Sequence, residues 1–158
     1  MLFFLMSLFA LGIVAVDQWT KYLVLEHIPL YGHVDAIEGL FHLTYVRNTG
    51  AAFSAFAGAQ WLFALIFVAL TVGIFYEYFK KRQPFTNFER WLIAAIYGGG
   101  IGNMIDRLRF GYVVDMIAVD FMNFAVFNVA DCFITCGCIL LIIHLAFFNK
   151  EFWKEEKK

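Results

Sequence analysis

The chain has 158 residues, of which 62% are hydrophobic and only 16% carry a charge, and its net charge at pH 7 is −1. Soluble domains have about 45–50% apolar and about 25% charged residues, so this composition excludes an ordinary soluble domain and favours a membrane protein. The small net charge also argues against nucleic-acid binding, which needs a basic stripe. The length suits a single membrane domain comprising residues 1–158.

Four apolar runs follow one another along the chain, and each predicts a membrane-spanning helix, because a backbone in lipid must satisfy its own hydrogen bonds. With their flanks, these runs cover residues 2–24, 60–80, 89–106 and 131–149. No Lys or Arg precedes Lys21, so the first run lacks the basic start of a cleaved signal peptide and is predicted to be a retained span. The predicted fold class is an all-α integral membrane protein with four transmembrane helices.

Two connections, residues 25–59 and 107–130, are predicted to face outward. The first alternates polar and apolar residues around positions 41–46, which predicts a small extracytoplasmic β-sheet in this loop. The second is too short for two more spans and is rich in Phe, so it is predicted to form an interfacial segment.

Orientation follows from Lys and Arg near the ends of the spans, which concentrate in cytoplasmic loops. The connection between the second and third spans and the C-terminal tail hold eight such residues: Lys80, Lys81, Arg82, Arg90, Lys150, Lys154, Lys157 and Lys158. The other two connections hold four: Lys21, Arg47, Arg107 and Arg109. Both termini are therefore predicted to be cytoplasmic.

The last two spans carry small and polar residues within apolar sequence. Ala94, Gly98 and Gly102 stand at four-residue spacing and predict a face on which another helix packs closely. His144, in the fourth span, is predicted to hydrogen-bond a neighbouring helix. Three cysteines lie in the same span: Cys132, Cys136 and Cys138. Being odd in number and surrounded by apolar residues, they are interpreted as small buried residues.

Four carboxylates fall at the outer ends of the spans or in the outer connection: Asp17, Asp106, Asp115 and Asp131. Ionisable groups at membrane depth are costly and point to function. Asp17 stands four residues before Lys21, which predicts a structural ion pair across one helical turn. Asp106 precedes Arg107 and is interpreted as an interface anchor or a lipid-headgroup contact.

Asp115 and Asp131 are different, because each is embedded in apolar sequence with no cation within four residues. Two carboxylates held close together in a dry site share a proton, so one can accept a proton from water while the other donates one. Serine catalysis is disfavoured, because Ser7 lies mid-span without a base and Ser54 lacks the usual nucleophile turn.

Two alternatives to a carboxylate-pair enzyme are a transport protein and an assembly factor without chemistry. Transport needs polar residues across the full membrane depth, and the inner halves of these spans are nearly all apolar. The residues alone leave the assembly factor open.

Five motifs occur in order along the chain, at residues 17–21 (DQWTK), 47–54 (RNTGAAFS), 99–107 (GGIGNMIDR), 111–115 (GYVVD) and 127–131 (FNVAD). With them the chain resembles the lipoprotein signal peptidases, the type II signal peptidases of bacteria. The resemblance implies an aspartic endopeptidase of the cytoplasmic membrane that needs no metal or other cofactor. It implies cleavage of diacylglyceryl-modified prolipoproteins immediately before the lipidated lipobox cysteine.

The resemblance also implies a role for each matching residue. The catalytic pair is implied to be Asp115 and Asp131. The residues implied to position the substrate or support the pair are Asn48, Asn103, Arg107 and Asn128. The residues implied to be structural or supporting are Asp17, Lys21 and Asp106. The expected partners are lipoprotein substrates and membrane lipids, with the enzyme itself a monomer.

Overall fold

The computed structural model of the chain describes residues 1–50, 58, 60–80 and 84–154. Its elements in chain order are α1 (Leu2–His27), β1 (His33–Ile37), β2 (Phe41–Asn48), α2 (Gln60–Lys80), α3 (Asn87–Phe110), β3 (Val113–Val119) and α4 (Val129–Phe147). The four predicted helices are present, and their bounds differ from the predicted spans by at most four residues. Parts of three sequence features lie outside the described residues: 51–54 of the second motif, Lys81 with Arg82, and Lys157 with Lys158.

Two of these helices, α1 and α4, are long and apolar enough to cross a membrane, with mean hydropathies of 1.8 and 2.2 in their most apolar windows. Only 22% and 11% of the residues in those windows are buried, so neither resembles the core helix of a soluble protein. The apolar stretch of α2, Trp61–Glu77, is shorter. Large apolar side chains therefore cover the outside of the helices, where a lipid environment would solvate them.

α3 lies between α1 and α4 and contacts both through small residues. A Cβ atom built on Gly98 would lie 2.9 Å from the carbonyl oxygen of Ala10 in α1. One built on Gly99 would lie 2.6 Å from the carbonyl oxygen of Ala130 in α4. The predicted close packing along this stripe is confirmed, and the glycines let two neighbouring backbones approach the same helix.

Two of the helices begin with reciprocal caps that the sequence encodes. Thr86 accepts a hydrogen bond from the backbone N–H of Glu89, whose side chain accepts one from the backbone N–H of Thr86. Asn128 and Asp131 form the same arrangement at the start of α4. In each case a carboxylate is fixed at the third position of its helix, where the helix dipole favours negative charge.

The three strands form one antiparallel sheet in the order β1-β2-β3. The strand predicted around residues 41–46 is present as β2. The sequence analysis predicted an interfacial segment for residues 107–130 but no strand there, whereas Val113–Val119 forms β3 beside β2. β3 is buried on nearly all of its length, so it appears in the sequence as an apolar run without the alternation of a half-exposed strand.

A buried cluster attaches this sheet to the end of α1. It consists of Val24 in α1, Ile28 directly after α1, Tyr45 in β2, and Val114 and Met116 in β3. The sheet is thereby held against the helical bundle, and the carboxylate of Asp115 is brought to the boundary between the two.

A buried polar cluster lies at the N-terminal end of α3. Glu89 is fully buried, and its carboxylate accepts from His144 Nδ1 at 2.8 Å and from Asn149 Nδ2 at 2.8 Å. Asn149 also donates to the carbonyl oxygen of Pro84 at 3.0 Å. The predicted contact of His144 with a neighbouring helix is confirmed, while the burial of Glu89 was not predicted.

The three cysteines of α4 are free thiols, with Cys132 and Cys138 half-buried and Cys136 exposed. The prediction of burial is therefore wrong for Cys136. Its neighbour Gly137 is the residue that packs against Ile96 of α3, and one step along a helix turns the side chain by about 100°. Cys136 consequently points away from α3.

Candidate active site

Asp115 lies in β3 with its carboxylate 2% exposed and held by two amide groups. Asn48, the last residue of β2, donates from Nδ2 to Asp115 Oδ2 at 2.8 Å. Asn128, the residue before α4, donates from Nδ2 to Asp115 Oδ1 at 2.6 Å. The strand pairing explains the first contact, because Asp115 is opposite Val46, two residues before Asn48. No ion pair to Asp115 is found among the described residues.

Burial raises the pKa of Asp115 from 3.8 to about 7. The hydrogen bond from Asn48 favours the ionised form and acts in the opposite direction, while the negative charge of Asp131 raises the pKa further. Loss of water around the carboxylate is the largest of these effects, because two neutral donors replace only part of its hydration. The carboxyl group of Asp115 can therefore hold a proton close to neutral pH.

Asp131 is in a more polar setting at the third position of α4, and its side chain is half-buried. Its Oδ1 accepts from Asn103 Nδ2 at 2.8 Å, and its Oδ2 accepts from the backbone N–H of Asn128 at 3.2 Å. The start of a helix carries a partial positive charge that favours an ionised carboxylate. Asp115 and Asp131 thus have distinct surroundings within one hydrogen-bonded cluster.

Asn128 donates to both carboxylates, from its side chain to Asp115 and from its backbone N–H to Asp131. Asn128 Nδ2 donates to Asp115 Oδ1 and, at 3.1 Å, to Asn103 Oδ1. Asn128 Oδ1 accepts from the backbone N–H of Asp131 at 3.0 Å, which fixes the orientation of the amide. The structure therefore brings together the two aspartates and two of the asparagines on which the sequence prediction rests.

Lys21 occupies the centre of the supporting residues and is only 2% exposed. Its ammonium lies 2.9 Å from Asp17 Oδ2, 3.0 Å from Asp106 Oδ2 and 2.9 Å from Asn103 Oδ1. The ion pair predicted between Asp17 and Lys21 is present. Because an ammonium has three N–H donors, each of them has an acceptor here.

The supporting carboxylates also reach the backbone beside the two central aspartates. Asp17 Oδ1 accepts from the N–H of Ala130 at 3.0 Å, one residue before Asp131. Asp106 Oδ2 accepts from the N–H of Val114 at 3.0 Å, one residue before Asp115. Asp106 is 1% exposed, so its interpretation as a lipid-headgroup contact is wrong: its partners are inside the protein.

Gln18 belongs to the same cluster but was missed by the sequence reasoning. Its Nε2 donates to Asp106 Oδ1 at 2.8 Å and to the carbonyl oxygen of Gly102 at 3.1 Å. A glutamine one residue after a buried aspartate, at the predicted outer end of a span, was the signal available. The sequence did not show that Gln18 faces α3.

Arg107 lies beside this cluster, with its guanidinium 4.3 Å from the centre of the Phe63 ring. It donates to the carbonyl oxygen of Gly50 at 2.9 Å and to that of Asn103 at 3.3 Å. Its Nε is buried and has no hydrogen-bond partner in the part of the chain that the structure describes. Arg107 therefore brings a positive charge to the site without pairing directly with a carboxylate there.

A cleft of about 290 Å³ opens onto Asp115. Its lining comes from β2, from β3 and from the segment that follows β3: Val46, Arg47, Asn48, Asp115, Asn123, Phe124, Ala125 and Val126. At its edge Arg47 donates to the Tyr45 hydroxyl at 2.9 Å and lies 4.9 Å from the centre of the Tyr112 ring. The cleft lies between β2 and the segment after β3, and it leads to the side chain of Asp115.

The site has the parts needed for acid–base chemistry by paired carboxylates. One carboxylate is buried and takes a proton readily, and a second is half-buried at a helix start, with amide groups fixing both. Within residues 1–50, 58, 60–80 and 84–154, no three histidine, cysteine or acidic side chains are grouped so that they could hold a metal ion.

Comparison with known sequences gives matches over nearly the whole chain. A family model described as signal peptidase (SPase) II matches residues 9–147. A lipoprotein signal peptidase of Streptococcus agalactiae serotype V is 46% identical over 147 residues, covering 91% of this chain and 88% of that protein. One from Streptococcus pyogenes serotype M2 is 44% identical over 153 residues, covering 97% and 94%.

Two solved structures of bacterial membrane enzymes share the fold. One superposes with a TM-score of 0.85 at 31% identity, covering 92% of this chain and 90% of the other. The second has a TM-score of 0.81 at 32% identity, covering 91% and 94%.

Proposed function

The chain belongs to the signal peptidase II family, and from this premise we propose that it is an aspartic endopeptidase that removes signal peptides from bacterial prolipoproteins. The proposed substrates carry a diacylglyceryl group on the lipobox cysteine, and the proposed cut falls immediately before that cysteine. The observation that carries the proposal is the contact of Asn128 with both carboxylates, through its side-chain NH₂ to Asp115 and through its backbone N–H to Asp131.

In the proposed reaction, Asp115 and Asp131 share one proton. The ionised carboxylate takes a proton from water while the water oxygen bonds to the scissile carbonyl carbon, and the protonated carboxyl donates to the carbonyl oxygen. Collapse of the tetrahedral intermediate breaks the C–N bond, and a proton passes to the leaving amine. The products are the signal peptide with a free carboxylate and the lipoprotein with a free amino group on its cysteine.

The surrounding residues are proposed to hold this pair and the substrate. Asn48, Asn103 and Asn128 each donate to one of the two carboxylates. Arg107 is proposed to position the substrate peptide, since it adds positive charge near the pair and has an unpaired Nε within the described part of the chain. The supporting role proposed for Asp17, Lys21 and Asp106 rests on their contacts with the backbone of Ala130 and Val114 and with Asn103.

The proposed arrangement in the membrane follows from the substrate. A lipidated cysteine stays in the bilayer, so the site is proposed to lie at the outer boundary of the hydrocarbon, where both water and the scissile bond can reach it. All four helices are proposed to span the membrane as one domain, residues 1–158, with both termini cytoplasmic. The two outer connections are proposed to clamp the peptide in the cleft, and the enzyme to act as a monomer without a cofactor.

Cleavage of a diacylglyceryl-modified prolipoprotein by the purified protein in nanodiscs tests the proposal. The wild type should cleave the substrate, and Asp115→Asn and Asp131→Asn should each lower kcat by about 10³-fold or more while remaining folded. Glu151→Gln is the matched control, because it makes the same change of carboxylate to amide on an exposed side chain of the tail. It should leave kcat unchanged.

Each contrary outcome has a defined meaning. Activity retained in Asp115→Asn or in Asp131→Asn removes that residue from catalysis and makes Asp17 or Asp106 the next candidate. If the folded wild type cleaves no lipidated substrate, the proposed function fails and an assembly factor without chemistry becomes the better hypothesis.

A further inference from the structure

The amide of Asn103 connects the buried ion cluster to Asp131. Its Oδ1 accepts from Lys21 Nζ at 2.9 Å and from Asn128 Nδ2 at 3.1 Å, and its Nδ2 donates to Asp131 Oδ1 at 2.8 Å. An ammonium group can only donate, so the oxygen of the amide must face Lys21. The NH₂ group must then face Asp131, and the orientation of this amide is set by Lys21 together with Asn128 Nδ2, which donates to the same oxygen.

An amide NH₂ directed at a carboxylate favours its ionised form, because an ionised carboxylate only accepts hydrogen bonds. If Lys21 were absent, the Asn103 amide would lose the charged one of the two donors that hold its orientation, and only Asn128 Nδ2 would remain on its oxygen. Rotation by 180° would place its oxygen against Asp131 and favour a protonated carboxyl there. Lys21 therefore acts on the charge of Asp131 without touching it.

Resting on the proposed function, we propose that Lys21 is a positioning residue that acts through Asn103 to make Asp131 the ionised base of the pair, while Asp115 carries the shared proton. Asp131 takes the proton from the attacking water. Asp115 gives its proton to the carbonyl oxygen of the scissile peptide.

The positions of the other charged groups around the pair support an ionised Asp131 and a protonated Asp115. The charged groups are Asp17 and Lys21 from α1, Asp106 and Arg107 from α3, Asp115 from β3 and Asp131 from α4. Asp17 and Asp106 are both paired with Lys21, and Asp131 has a helix start beside it. Burial raises the pKa of Asp115 to about 7, so this carboxyl can hold a proton close to neutral pH.

Infrared difference spectroscopy tests the division without any need for activity. The carbonyl stretch of a protonated carboxyl should be present in the wild type at pH 5.5. It should be lost in Asp115→Asn and retained in Asp131→Asn. The reverse pattern, or loss in both variants, would overturn the assignment of the proton to Asp115.

The role of Lys21 is tested by the pH profile of kcat/KM for cleavage. Asn103→Asp keeps the shape of the side chain but presents an oxygen to Asp131. The acid limb of the profile, which is the low-pH side where the base becomes protonated, should therefore move up by about one pH unit. The double variant Asp17→Asn with Lys21→Met keeps the net charge of the ion cluster while removing the ammonium. Its acid limb should move in the same direction.

Asp17→Asn alone is the matched control, because Lys21 keeps its charge and its hydrogen bond to Asn103. Activity and stability can fall in this variant, but the acid limb should stay at or below its wild-type pH. An unmoved acid limb in an active Asn103→Asp or double variant would overturn the inference while leaving the protease function intact. A wild type that cleaves nothing would instead refute the proposed function.

Discussion

At the scale of single residues, Asp115 is distinguished by what surrounds its charge. Lys21 neutralises part of the charge of Asp17 and Asp106, whereas the two oxygens of Asp115 accept from the amides of Asn48 and Asn128. A neutral donor compensates less of the lost hydration than a cation does. The negative charge of the Asp115 carboxylate can therefore be balanced by a bound proton, whereas Asp17 and Asp106 have a lysine as their counter-ion.

This setting predicts a pH-dependent stability. The folded protein raises the pKa of Asp115 from 3.8 to about 7, so the fold holds this proton more tightly than the unfolded chain does. Stability should therefore fall as the pH rises from about 4 to about 7, by an amount on the order of a few kcal/mol. Asp115→Asn should remove this loss and be more stable than the wild type at pH 8, but not at pH 4.

Thermal unfolding in one detergent from pH 4 to pH 8 measures this difference. Asp35→Asn, a change of the same kind on the exposed strand β1, should follow the wild type throughout. Parallel curves for Asp115→Asn and the wild type would show that Asp115 does not take up a proton over this range.

At the scale of elements, α3 organises the site because it presents two kinds of surface along its length. Its glycines allow the backbones of α1 and α4 to come close, and its C-terminal end carries Asn103, Asp106 and Arg107. Close packing at Gly99 also sets the position of Ala130, which directly precedes Asp131. The spacing of helices is thus coupled to the placement of a carboxylate.

Gly99→Ala should consequently affect both stability and cleavage. The added methyl group would lie 2.6 Å from the Ala130 carbonyl oxygen and 2.9 Å from Ile134 Cγ1, so α4 must shift. Overpacking of this kind costs about 1–3 kcal/mol, and the displacement of Asp131 should lower kcat. Chemical denaturation in mixed micelles and the cleavage assay measure the two effects.

Gly12→Ala in α1 is the comparison, because a Cβ atom there meets no other atom within 4 Å. It should be neutral or stabilising by up to about 1 kcal/mol, as expected for alanine in a helix. Equal behaviour of the two variants would mean that α3 and α4 are not in tight contact at Gly99.

At the scale of the whole molecule, two buried polar clusters lie at opposite ends of α3. Glu89 and Asp106 are seventeen residues apart, which is about 25 Å along a helix. The cluster around Asp106 joins the sheet to the bundle, and the one around Glu89 fastens the tail to the start of α3. One end is proposed to carry the chemistry, and the other holds the helices together.

Asn149→Ala should lower the stability of the fold without changing the rate of cleavage. The substitution removes the hydrogen bonds to Glu89, to the Pro84 carbonyl oxygen and from the Phe152 N–H, so it should destabilise the fold by about 1–3 kcal/mol. Cleavage kinetics below the unfolding transition should match the wild type. Lys154→Ala, which breaks only the exposed pair with Glu151, should change stability by less than about 1 kcal/mol.

A large fall in kcat for folded Asn149→Ala would show that the two ends are coupled. Unchanged stability would instead mean that the tail does not brace α3. Both quantities can be followed on the same purified sample.

The sequence predicted the helices well, because long apolar runs and the stripe at Gly98 report directly on how helices meet their surroundings. It did not predict β3, because a strand buried on both faces has no alternation to reveal it. The apolar surroundings of Asp115 and Asp131 marked both residues in advance. Their link through Asn128, and the position of Asn48, 67 residues before Asp115, depend on tertiary contacts that local spacing does not contain.

The partners of the supporting residues were predictable only within one element. The spacing of Asp17 and Lys21 gave their ion pair, which forms across one helical turn. That Gln18 faces Asp106, or that Glu89 meets His144, depends on which sides of two helices are turned together.

The order of the elements bears on when the protein becomes active during its synthesis. Asp131 lies at the start of α4, the last helix, and its neighbour Ala130 is held by Asp17 of the first helix. A nascent chain that has inserted only α1 to α3 and β3 contains Asp115 but not its partner. Under the proposed function, proteolysis must therefore wait until α4 has been made and packs against α1.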